Sequence, residues 1–153
     1  MKEAIVEARK GLKKGQCPFG SIIVNKKTGR IIGRGHSTVL KDNCAVSHAE
    51  INAIKQASKK LKKWDLKGHI IYSTGEPCPM CFSAIHWSNL DEVYFGVDAT
   101  YAEKLGFREM DLPIKELKKL SKGRIKVKIN SNCIEKECIC MMKDWKKKKS
   151  KTY

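Results

Sequence analysis

GHIIYSTGEPCPMCFSAIHW, residues Gly68 to Trp87, combines a strand signal, a break and a helix signal within twenty positions. GHIIYST (Gly68 to Thr74) is a β-branched, apolar run of strand length, and a helix is predicted to start around Cys78. Pro77 and Pro79 lack amide donors that a first helical turn does not need, and Ala84, Ile85 and Trp87 continue the helix. The junction therefore carries two thiols, Cys78 and Cys81, three positions apart. Such a pair serves as a redox couple, as half of a structural zinc knuckle, or as two ligands of a catalytic metal.

Outward from that unit, strands and helices alternate. Met1 to Lys14 places Ala4, Ile5, Ala8 and Leu12 on one helical face. Phe19 to Asn25 and Arg30 to Val39 are apolar runs joined by KKTG, with Gly29 available for positive φ, and predict a hairpin. Helices are predicted over His48 to Leu61, Thr100 to Leu105, Ile114 to Leu120 and Ile134 to Lys148, and strands over Asp91 to Val97 and Arg124 to Asn130. This order predicts one α/β domain spanning residues 1–153, with three layers, α/β/α, around a mixed sheet whose antiparallel part is the hairpin.

Length and composition agree with one soluble globular domain. The chain has 153 residues, enough for one core, with 41% hydrophobic and 31% charged residues. No run reaches the roughly 18 apolar residues of a membrane span, and the first dozen residues are amphipathic, so a cytoplasmic location is expected. Seven cysteines favour free or metal-bound thiols over a disulfide framework. The net charge is +16, and from Pro113 to Tyr153 there are 14 Lys or Arg against 4 Asp or Glu. That excess suits nucleic acid, but WKKKKSK (Trp145 to Lys151) lacks spaced stacking aromatics, so a solvated basic helix, about residues 134–148, is the favoured reading.

HAE, His48 to Glu50, changes the reading of the two thiols. One histidine and two cysteines make three ligands, the number a catalytic zinc uses while it keeps a fourth position for water. Both groups fall at predicted helix starts, which favour thiolate. Two residues along a helix is about 200°, which separates Glu50 from His48 and frees it to address water instead of the metal. Hydrolysis at a carbon bearing an amino group needs such a proton carrier. H-x-E with P-C-x-x-C is a signature of zinc nucleobase deaminases. A redox pair has no need of His48 and Glu50, and a closed knuckle would require Cys44 or Cys138 as a fourth ligand.

With these residues in place the chain resembles the cytidine deaminase-like superfamily, within it the guanine deaminase branch, through PFGSIIV, SHAEINAI, IIYSTGEPCPMCFSAIHW, VYFGVDATYAEKLGF and the terminal tyrosine. The resemblance implies a five-stranded sheet, a homodimer, one zinc per chain held by His48, Cys78 and Cys81, and Glu50 as proton shuttle. It implies hydrolysis of guanine at C2 to xanthine and ammonia, with the Ala49 main chain at the base edge and Tyr153 closing the pocket. Ser37 stands where relatives carry Asn, and Glu109, in GFRE, where they carry Asp. Those departures leave guanosine or another nucleobase or nucleoside as alternatives. Phe19 and Trp87 are candidates to stack on a flat base or to serve as core. A tRNA-specific adenosine deaminase shares HAE and PCxxC and would use the basic segment; a zinc-stapled RNA-binding protein would have no use for Glu50.

Overall fold

Ala4, Ile5 and Ala8 are buried along one face of α1 (Lys2–Lys13), where their three- and four-residue spacing put them. A computed structural model describes residues 1–122, 124–129 and 133–147. The hairpin follows as β1 (Gly20–Asn25) and β2 (Ile31–His36). Asn25 Oδ1 accepts from the amides of Lys27 and Thr28, and Gly29 takes φ 68°, so the turn is built from side-chain capping and one left-handed glycine. One unforeseen helical turn, α2 (Val39–Asp42), replaces the end of the second predicted strand, and Asn43 at φ 49° stops it.

The remaining elements are α3 (Ala49–Leu61), β3 (His69–Gly75), α4 (Pro79–Trp87), β4 (Glu92–Val97), α5 (Ala99–Lys104), α6 (Ile114–Leu120), β5 (Lys126–Ile129) and α7 (Cys133–Lys147). The sheet order is β2-β1-β3-β4-β5. β1 is antiparallel to β2 and β3, whereas β3 to β4 and β4 to β5 are parallel, so the sheet is mixed. Four strands of six or seven residues form its body; of the expected Arg124 to Asn130 strand, Lys126–Ile129 form the edge strand β5, and Asn130 lies outside the described residues.

Two apolar clusters stabilise this arrangement. Ile23, Ile71, Val93 and Phe95 of the sheet pack with Ala53 and Ala57 of α3, Ile85 of α4 and Ile114 of α6. Ile5 and Ala8 of α1 pack with Ala102 of α5 and with Met142 and Trp145 of α7. Burying each large apolar side chain contributes about 1.5–3 kcal/mol.

Glycine sets how closely α3 approaches the hairpin. A Cβ at Gly35 would collide with the Ala49 carbonyl and the Ala53 amide, and one at Gly33 with the Ala53 carbonyl. Helix and strand backbones are therefore in contact, which fixes the start of α3 relative to β2. Ligand crevices in open α/β sheets form beyond the carboxyl ends of strands where connectivity changes sense. Here that place is the end of β3, whose neighbours are antiparallel β1 and parallel β4.

Candidate active site

His48 and Glu50 reach one cavity because His48 is not helical. It is the N-cap of α3, with ψ 160°, while Glu50 lies in the first turn. The expected separation of about 200° applies only when both residues are in the helix; the extended cap turns both side chains toward the same cavity. Asn52 secures the approach to this cap, donating to the His36 carbonyl at 2.9 Å and to the Thr38 hydroxyl at 2.9 Å.

Cys78 is the N-cap of α4 and Cys81 is buried in its first turn. Cys78 Sγ is 3.7 Å and Cys81 Sγ 3.6 Å from His48 Nδ1. Sulfur and nitrogen ligands of a tetrahedral zinc lie about 3.6 Å apart, given bond lengths of about 2.3 and 2.0–2.1 Å. The donor set thus fits zinc in both chemistry and span, and among the described residues no fourth His, Cys, Asp or Glu joins it. The Cys81 thiol, then the His48 imidazole, hold Cys78 down to about 4 against its burial, while the neighbouring Cys78 sulfur and burial push Cys81 up. Burial pulls His48 down, but the Cys78 sulfur and the Glu50 carboxylate outweigh it, and the imidazole ends above its usual range.

Glu50 is buried, and burial raises its pKa despite the opposing His48 and a hydrogen bond from Ser73. Ser73 Oγ donates to Glu50 Oε1 at 2.6 Å, and Cys81 Sγ lies 3.4 Å from Oε2. One carboxylate oxygen is anchored and the other adjoins the ligand set, which is the placement a proton carrier needs.

The cavity measures about 380 Å³ and is lined also by Phe19, Phe107, Glu76, Glu109 and Arg108. Phe107 packs edge-on to Phe19 with centroids 4.8 Å apart and stacks on Trp145 of α7 at 5.0 Å. Burial, then the Cys78 thiolate, raise the Glu109 pKa to about 7. Of the expected substrate contacts, Phe19 and Glu109 line the cavity. Phe107 and Glu76 do so without having been singled out; GFRE drew notice only for its charged half.

Three expected contacts are placed elsewhere. Trp87 is 77% exposed, on the outward face of α4, and its ring meets only His86 among the described ring contacts; it is not a cavity wall. Ser37 is buried, its amide donating to the Phe19 carbonyl at 3.0 Å, and does not line the cavity. Ala49 is fully buried with its carbonyl against Gly35 and is not among the residues that line the cavity. Tyr153 lies outside the described residues.

Three ligands with an open position beside a buried carboxylate define a metal-dependent hydrolase site. Residues 1–97 match the cytidine and deoxycytidylate deaminase zinc-binding region. The chain belongs to that family of zinc-dependent deaminases. It is 37% identical to the guanine deaminase of Bacillus subtilis (strain 168) over 123 residues, covering 76% of this chain and 78% of that protein. It is 43% identical to the tRNA-specific adenosine deaminase of the same organism over 96 residues, covering 63% of this chain and 58% of that protein. The fold matches a solved guanine deaminase from Nitrosomonas europaea with a TM-score of 0.87, over 95% of this chain and 82% of that one, at 22% identity.

Proposed function

We propose that the protein hydrolyses a free purine base, guanine to xanthine and ammonia. The observation that carries this reading is Glu109, a half-buried carboxyl in a cavity that Phe19 and Phe107 also line. The rings suit a flat heterocycle, and a carboxylate pairs with a base presenting ring N–H or amino donors. The longer match to the guanine deaminase, 76% of this chain against 63%, supports the same choice.

In this mechanism His48, Cys78 and Cys81 would hold zinc, which when bound would acidify water and supply a nucleophile at neutral pH. Glu50 takes one proton from the attacking water and passes it to a ring nitrogen, then takes the second from the hydroxyl now on the ring carbon and gives it to the amino group, which leaves as ammonia. Ser73 keeps one Glu50 oxygen fixed throughout. Phe19 and Phe107 hold the ring plane and exclude water, and Glu109 accepts from a base N–H.

The greater identity to the tRNA-specific adenosine deaminase, 43%, favours a second reading in which adenosine in tRNA is the substrate and the basic segment contacts RNA. Ammonia release by the zinc-loaded protein separates the two when measured on guanine, guanosine, adenine, cytosine, cytidine and a tRNA anticodon stem-loop. Guanine turnover is expected. Turnover of the stem-loop alone overturns the free-base reading.

A further inference from the structure

Glu76 lies between the end of β3 and the Cys78 turn, and its side chain does something unusual for a residue beside a metal site. Its Oε1 accepts from the Ile114 amide at 2.7 Å, and its Oε2 accepts from the Ala99 amide at 3.1 Å. Ala99 and Ile114 are the first residues of α5 and α6. One carboxylate therefore satisfies a first-turn amide of two helices, donors that no intrahelical acceptor can reach. The Glu76 amide also donates to the Val97 carbonyl at 2.7 Å, tying the same residue to the end of β4.

The two capped positions bracket the segment that brings Phe107 and Glu109 into the cavity. α5 has six residues and α6 seven, too short to persist without external contacts. On the other side, Pro77 restricts both its own φ and the conformation of Glu76, so the staple is only one stiff residue away from Cys78. We infer that Glu76 is a positioning residue: by capping α5 and α6 together it fixes the Phe107 to Glu109 loop over the metal ligands and so sets the affinity for substrate. This rests on the reading of that loop as a substrate wall.

Glu76→Gln is nearly isosteric but offers one acceptor oxygen, and its amide group opposes the second N–H, so one of the two caps must be lost. Ala99→Pro removes the other partner instead. Proline is tolerated at a first helical position, and Asp98 before it is already extended, with ψ 163°. For Glu76→Gln, amide hydrogen exchange across residues 99–114 is expected to quicken by about tenfold or more, with protection of β3 and β4 retained. Zinc should remain at one per chain, and KM for the substrate identified in the panel above should rise about 10- to 100-fold while kcat changes little. Ala99→Pro should loosen the same segment to a lesser degree. Unchanged exchange across 99–114 in both variants overturns the inference, as does a loss that follows zinc content or that falls on kcat with KM unchanged. The exchange measurement needs no substrate, so a protein that ignores guanine would refute the proposed substrate without touching the staple.

Discussion

Glu50 is the residue whose substitution separates metal binding from chemistry. Glu50→Gln keeps the volume and leaves His48, Cys78 and Cys81 untouched, so metal analysis should show zinc retained while turnover falls by about two to four orders of magnitude. Loss of zinc in that variant would make Glu50 a ligand. Glu109 gives a pH signature in the metal-free protein. Its pKa rises from an ordinary 4.5 to about 7 on folding, so the protonated form favours the folded state. The stability it supplies is complete below about 4.5 and lost as pH climbs through about 7. Glu109→Gln should therefore gain on the native protein in urea unfolding between pH 5 and pH 8, and an equal difference at both pH values would contradict the burial of this carboxyl. The residues proposed as ligands and shuttle were legible as candidates because two short motifs mark two helix starts. Glu76 and Phe107 were not, since a carboxylate capping helices 23 and 38 residues away leaves no local pattern.

At the scale of elements, the contact between α3 and β2 decides whether the two motifs meet. Gly35 faces the backbone of α3 with no room for a methyl group. Gly35→Ala must push the helix outward, carrying His48 and Glu50 away from α4, at a cost of about 1–3 kcal/mol in stability. A lower melting temperature together with weaker zinc binding is expected; the same change in stability with native zinc affinity would show that the ligand set adjusts independently of the helix. Periodicity identified α1, α3 and the hairpin to within a few residues, and the α2 turn escaped because four residues carry no period. Trp87 shows the limit of residue type as a guide: it continues the α4 sequence pattern, yet its position on the helix turns it to solvent.

For the whole molecule, the metal ligands join α3 to α4 across the end of the sheet, so metal binding should add to global stability. Chelation is expected to lower the melting temperature and abolish turnover, both restored by zinc; an unchanged melting temperature would mean that the site contributes nothing to the fold. Thiol labelling should follow the same architecture. Burial raises Cys17 and Cys138 to about 12, whereas Cys44 and Cys140 are exposed. Iodoacetamide should label Cys44 and Cys140 in the native protein and reach Cys17 and Cys138 only after unfolding.

The alternation of strands and helices, the helix starts beside His48 and Cys78, and the chemistry of a three-ligand metal site beside a carboxylate are local properties, set by periodicity, proline placement and residue type, and the chain determines them by itself. The approach of α3 to β2, the shared cavity of His48 and Glu50, the exclusion of Trp87 and Ser37 from its walls and the Glu76 staple depend on groups far apart in sequence. Only packing around the mixed sheet brings those groups within hydrogen-bonding and van der Waals range, and that is why the tertiary structure alone decides them.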